Sequence, residues 1–238
     1  MVFVKENLDW GSGEEFFGPR HFARLRKIIS LLPKEKTIFL DGAVGLGILS
    51  EKLKKKGFLP VGIDLDFGAA KHSKDKGIFT LQGNLEALPF KDDVFPLIIS
   101  SETLEHLKDH KKAVNEFYRV AKDSGNLIIS VPINERFWSY WDEWAGHKKR
   151  FSPKNIDDDF KPFKIEKKVY FGFPFVFLYD LIFLKKFIKK RGEGKLGRKR
   201  KKIFVFLKKI FHFPLIFLFS INIPLKNYSP LFLALLKK

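Results

Sequence analysis

The sequence predicts an α/β fold, a mostly parallel sheet covered by helices on both faces. Apolar runs of strand length alternate with amphipathic segments of helix length between residues 37 and 132. The runs carry Ile, Leu and Val on both faces, as strands buried on both sides require. The first run also leads through "DGAVGLG" into a lysine-rich amphipathic stretch, a turn with three glycines in six positions. A turn so bare lets a ligand lie against the backbone, within reach of the N–H groups that open a helix.

Each element has its own reason. The stretch "SGEEFFGPRHFARLRKIISLL", residues 12–32, reads as an amphipathic helix. Strands are predicted at 37–43, 59–66, 77–84, 95–101 and 125–132, each short, apolar and bounded by Gly, Pro or Asp. The clearest helix is 110–122, where Ala113, Val114, Phe117, Tyr118 and Ala121 share one face and Gly125 follows as a stop. Ligands of such sheets bind at the carboxyl ends of the strands. Those ends are Asp41 with the glycine turn, Asp64 and Asp66, Asn84, and Ser101 with Glu102. A glycine turn followed by three hydrogen-bonding strand ends suits a nucleoside.

Composition narrows the setting. A chain of 238 residues buries a full core in one α/β domain with room for an appendage. It has no cysteine, so disulfides and thiolate metal sites are excluded, in keeping with a reducing cytosol. The first residues carry acids and glycines where an export signal needs an unbroken apolar core, so a cytoplasmic location is expected. Charge is uneven: residues 169–238 hold 16 Lys/Arg against 2 Asp/Glu, which places +14 of the net +18 in that part.

The segment 37–153 resembles the class I S-adenosylmethionine-dependent methyltransferases, in particular the quinone-biosynthesis group. "LDGAVGLG" matches the family's Asp and G-x-G-x-G turn at Asp41, Gly45 and Gly47, with Ala43 in place of the first glycine. "VGIDLD" resembles the second motif, whose acid, here Asp64, takes the ribose hydroxyls. "QGNLEALPFKDDVFPLIISSETLEHL" resembles the adenine loop, the fourth strand and the turn after it, with Asn84 and Pro96 where the family usually has Asp. Ala43 is expected to be accepted provided its φ stays negative, and Asn84 keeps a carbonyl oxygen for an adenine N–H.

The resemblance implies S-adenosyl-L-methionine as cofactor, held by Arg20, Asp41, Gly42, Ala43, Gly45, Gly47, Asp64, Leu65, Asn84, Leu85 and Ser101, with Arg20 on its carboxylate. It also implies a Rossmann-like sheet of seven strands, mostly parallel, with an antiparallel seventh strand between the fifth and sixth. Residues 163–171 then supply the sixth strand and 231–237 the seventh. The expected division is a core over 1–171, a basic, Phe-rich helical insertion over 172–229 and the last core strand in 230–238.

Methyl transfer depends mainly on aligning nucleophile and methyl carbon away from water. A base is needed only for an acceptor that must lose a proton, and His106 and His147 are the candidates. The loop "INERFWSYWDEWAGHKKRFSP" places aromatic residues beside a basic run, and Trp138, Tyr140, His147 and Arg150 are the candidate acceptor contacts. No metal site is expected.

The uncharged run Ile210–Leu225 is 16 residues with two prolines, short of the roughly 20 needed to span a bilayer. With 11 Lys/Arg between Lys185 and Lys202, the Phe-rich region reads as peripheral to an anionic membrane, and excising its loop around Gly192–Gly197 is expected to be nearly neutral for stability. The expected activity is methyl transfer to a lipophilic or lipid-linked small molecule. The alternatives are an RNA-directed methyltransferase, a non-catalytic S-adenosylmethionine-binding relative, and a dinucleotide oxidoreductase suggested by Gly45, Gly47 and Ser50.

Overall fold

The computed structural model describes residues 19–179, 217–218 and 221–238. The basic run 185–202, the loop around Gly192–Gly197 and most of the predicted insertion lie outside the described residues, as do residues 1–18.

Seven strands form one sheet: β1 (Ile38–Gly42), β2 (Leu59–Asp64), β3 (Phe79–Gln82), β4 (Phe95–Ser101), β5 (Ala121–Pro132), β6 (Lys164–Phe171) and β7 (Leu231–Lys237). Their order is β3-β2-β1-β4-β5-β7-β6. β1 pairs in parallel with β2 on one side and β4 on the other. The chain therefore winds outward through β3, returns to β1 and winds the other way, which opens a crevice at the carboxyl ends of β1 and β4.

β7 lies where the resemblance places it, antiparallel between β5 and β6. Its unbroken apolar sequence is explained by burial on both faces, with Leu231, Phe232, Leu233 and Ala234 wholly inside. Alternation along the strands feeds two cores. Ile98 and Phe232 join Phe117 of α4 (His110–Val120) on one face. Leu97, Ile99 and Leu233 join Leu25 and Ile28 of α1 (Pro19–Ile29) and Leu53 of α2 (Ile48–Lys54) on the other.

The helix predicted at 110–122 ends at Val120, and β5 begins four residues before the predicted start. Sheet pairing wins over helix periodicity here, because the Val94 N–H donates to the Val120 carbonyl and Ala121 pairs with Phe95. Asp109 caps the start of α4 by accepting from the Lys111 N–H, and Asp66 caps α3 (Phe67–Asp75) by accepting from the Ala69 N–H. Three short helices follow: α5 (Tyr140–Ala145), α6 (Ile156–Asp159) and α7 (Phe175–Tyr179). Among the described residues no helix is long and apolar enough to cross a membrane.

Candidate active site

The glycine turn joins β1 to α2, and its positions do not all answer to the same constraint. A side chain at Gly42 would strike the Phe117 ring at 2.9 Å, and one at Gly47 would strike Ile78 at 2.7 Å, so both serve packing. Gly45 has φ +53°, yet a Cβ there meets nothing within 4 Å, so this part of the turn faces open space. Ala43 departs from expectation: its φ is +69°, not negative. Both the Ala43 and Val44 N–H groups donate to the Ile63 carbonyl, and these bonds hold the residue in the left-handed region despite its methyl group.

Asp41 lies buried beneath the turn, where its Oδ2 accepts a 2.6 Å hydrogen bond from the Ser50 hydroxyl. Burial pushes its carboxyl up to about 7, against the pull of that bond and with help from the Asp64 charge. Asp64 ends β2 and latches the turn from outside: Oδ2 accepts from the Gly45 N–H at 2.8 Å and Oδ1 from the Asp66 N–H at 2.9 Å. Each oxygen keeps a lone pair for a further donor. Beside it Leu65 is 62% and Phe67 65% exposed, an apolar surface left in water at the crevice mouth.

Asn84 is exposed, its Oδ1 accepting from the Glu86 N–H, and Leu85 is buried next to it. Ser101 is half-buried against the Ser130 hydroxyl at 3.0 Å. Arg20 is expected on the cofactor carboxylate; in the structure its guanidinium lies 3.7 Å from Glu102, which Arg24 also approaches at 3.2 Å. Glu102 adopts φ +53° at the end of β4. Burial alone would raise its carboxyl, but Arg24 and Arg20 outweigh burial and hold it below the ordinary range.

A second constellation follows directly. Glu105 and His106 lie in a single 3₁₀ turn, Leu104–His106, and His147 is brought against them by the loop after β5. That loop is closed by a parallel bridge between Ile133 and Phe151 and tied to the start of β7 by Asn134, whose amide donates to the Ser229 and Lys226 carbonyls. The His106 and His147 rings meet edge to face, centroids 4.8 Å apart. Burial, then the neighbouring His147, pulls His106 down to about 4, so it is neutral at pH 7. Glu105 is 0% exposed, and burial next to Glu102 pushes its carboxyl well above the ordinary range.

His147 Nδ1 lies 2.8 Å from Asp142 Oδ1. Asp142 is wholly buried and accepts two further bonds from Arg150, from Nε at 2.8 Å and Nη2 at 3.0 Å. Burial would raise Asp142, but the bonds from His147 and Arg150 prevail and hold it far below the ordinary range. Arg150, a candidate acceptor contact from the sequence, is buried and committed to Asp142, since a cation inside a protein needs a paired anion. Trp138 is 39% exposed at the loop surface; Tyr140 opens α5, and the structure describes its backbone alone.

Sequence reasoning missed Glu105 and Asp142. Each had a signal: an acid set between apolar residues, in "TLEHL" and "SYWDEW", is an acid that folding will bury.

Residues 40–129 match a family model described as a methyltransferase domain. A demethylmenaquinone methyltransferase of Corynebacterium glutamicum is 30% identical over 124 residues, which cover 51% of this chain and 53% of that protein. The chain spans about half the length of the curated relatives it matches. Among solved structures, an S-adenosylmethionine dependent methyltransferase from Mesorhizobium loti superposes with a TM-score of 0.62 at 14% identity, covering 93% of this chain and 100% of that one. Phosphoethanolamine N-methyltransferase 2 of Haemonchus contortus, in complex with S-adenosyl-L-methionine, gives 0.62 at 18%, covering 95% and 54%. At these identities the two structures speak to the fold.

Proposed function

We propose, from a chain that belongs through residues 40–129 to the class I S-adenosylmethionine-dependent methyltransferases, that it methylates a lipophilic or lipid-linked small molecule. The observation that carries the cofactor half is the crevice: an open glycine turn, the Asp64 carboxylate and an exposed apolar surface converge at the carboxyl ends of β1 and β2. These residues suit a nucleoside. Asp64 has lone pairs for the ribose hydroxyls, Leu65 and Phe67 offer apolar area to a purine, and the space over Gly45 admits a ligand against the backbone.

When bound, S-adenosylmethionine supplies a methyl carbon on a sulfonium, already activated for in-line displacement. The chain's own residues then have to place the acceptor and exclude water. His147, its Nδ1 tied to Asp142, presents Nε2 from a fixed ring, and His106 stands against it. This pair lies beyond the end of β4, neighbour to β1, and serves the proton of an acceptor hydroxyl. The greasy acceptor is supported by the demethylmenaquinone relatives and by the apolar residues exposed between β6 and β7, Phe217, Ile221 and Ile223 among them. The basic, phenylalanine-rich sequence of that region suits a membrane interface.

Calorimetry with S-adenosylhomocysteine tests the cofactor half. Micromolar binding is expected, weakened by about 1–3 kcal/mol in Asp64→Ala through the ribose hydrogen bonds lost. Binding of NAD with none of S-adenosylhomocysteine at millimolar concentration rejects the reading. For the acceptor half, the chain should float with anionic vesicles and be only partly released by salt. Absence from the floating fraction removes the membrane part.

A further inference from the structure

We propose that Glu105, His106 and His147 form a binding site for a divalent transition-metal cation, with an open position that takes a hydroxyl oxygen of the methyl acceptor. The second half rests on the methyltransferase reading; the first stands without it.

Each of the three residues offers one ligand atom, and these atoms lie within 4.8 Å of one another. Glu105 is wholly buried, and among the described residues neither of its side-chain oxygens has a hydrogen-bond partner. Among the described residues the basic group nearest to it is His147, with Nε2 3.8 Å from Oε1, too far for a hydrogen bond. A buried carboxyl group whose two oxygens find no partner is costly to leave unsatisfied, and a cation seated among these groups, taking the place of the carboxyl proton, satisfies it.

The tautomers are set for ligation. A backbone carbonyl only accepts, so His106 Nδ1, 3.3 Å from the Gly146 oxygen, carries the proton in that contact and leaves its Nε2 lone pair available. His147 Nδ1 donates to Asp142, which Arg150 keeps ionised, so its Nε2 lone pair is the one facing Glu105. An imidazole whose far nitrogen is bound to a carboxylate or carbonyl is the arrangement that orients metal-ligating histidines and strengthens them as donors. Asp142 and the Gly146 carbonyl occupy those outer positions.

The donor set also selects the ion. Two imidazoles and one carboxylate suit Zn²⁺, Co²⁺ or Fe²⁺, whereas Mg²⁺ and Ca²⁺ prefer oxygen throughout. Three protein ligands leave a position open, as catalytic sites of this kind do. Ligand distances of about 2.1 Å in a tetrahedral site put ligand atoms about 3.4 Å apart, so binding draws the widest pair together by roughly 1.4 Å. A hydroxyl on the open position is acidified: its proton leaves to solvent, and the oxygen lone pair forms the O–C bond as the C–S bond breaks with its electrons on sulfur. With the cation bound, the two histidines hold it in place of taking the acceptor's proton themselves, and the acceptor atom is oxygen.

The test uses the full chain after chelator treatment, titrated with Co²⁺ and followed by calorimetry and visible absorption, with an S-adenosylhomocysteine titration in parallel. One Co²⁺ per chain is expected, with the absorption bands of a low-coordinate site, displaced by Zn²⁺ and not by equimolar Mg²⁺. His147→Ala and the near-isosteric Glu105→Gln should each abolish the bands. Asp142→Asn should weaken binding by about 10–100-fold with the bands retained. A chain that binds S-adenosylhomocysteine and shows neither heat nor bands with Co²⁺ overturns the metal site and leaves the methyltransferase reading intact. Bands that survive in a folded Glu105→Gln variant, or displacement by equimolar Mg²⁺, overturn the assignment as well. Bound Co²⁺ with no affinity for S-adenosylhomocysteine keeps the metal site and rejects the methyltransferase reading.

Discussion

Ala43 shows what a single methyl group costs when a turn demands a left-handed backbone. With φ +69° it occupies a region that disfavours L-residues by roughly 1–2 kcal/mol. Ala43→Gly should therefore stabilise the chain by about 1 kcal/mol in urea unfolding, less the extra freedom glycine brings to the unfolded state. An unchanged midpoint would mean the turn already relieves the strain. Asp41 makes the second prediction. Its native carboxyl is raised to about 7 from an ordinary 3.8, so between these values the folded state holds a proton that the unfolded state has lost. Stability from this group is present below pH 4 and declines as pH rises to about 7, with no further change above. Unfolding free energies at pH 5 and pH 8 should show this decline in the wild type and a smaller one in Asp41→Asn. Equal declines in both would assign it to other groups.

At the scale of elements, the loop between β5 and β6 is organised by a buried charge pair. Asp142 carries bonds from Arg150 and His147 and accepts from the Ser139 N–H at 2.8 Å, so one carboxylate fixes the start of α5, the ring of His147 and the return of the loop. Asp142→Ala leaves the Arg150 guanidinium buried without its anion and should cost about 3–5 kcal/mol. Denaturant melts measure it, and a loss under 1 kcal/mol would show that the loop contributes little to folding. The helix–strand junction at 120–121 belongs to the same scale. Periodicity carried the helix two residues too far because Ala121 continues its apolar face, while pairing with Phe95 assigns that residue to β5.

Across the whole molecule, the last strand ties the sheet together. β7 bonds to β5 from Asn126 to Pro132 and to β6 from Lys164 to Phe171, and its end is fixed by the Lys238 N–H on the Gly125 carbonyl. Its removal strands β6 and exposes apolar faces on both sides of the sheet. Deleting Leu231–Lys238 should therefore abolish the cooperative thermal transition and S-adenosylhomocysteine binding together. A truncated chain that keeps both would place these residues outside the core.

What the sequence determined by itself was whatever local pattern encodes: five strands by apolar runs, the turn after β1 by its glycines, and the polar strand ends Asp41, Asp64 and Ser101 by their position after those runs. The seventh strand needed the resemblance as well, because an unbroken apolar segment after a long interval does not state its partners. Tertiary structure decided the rest. Whether Ala43 had positive φ depended on the Ile63 carbonyl that both turn N–H groups share. Whether Arg150 faced solvent or Asp142 depended on how the loop closed through Ile133 and Phe151. The grouping of Glu105 and His106 with His147, some 40 residues on, has no signature in either segment. It arises only when the sheet sets the end of β4 beside the loop that leaves β5, and side chains distant in sequence come within 4.8 Å of one another.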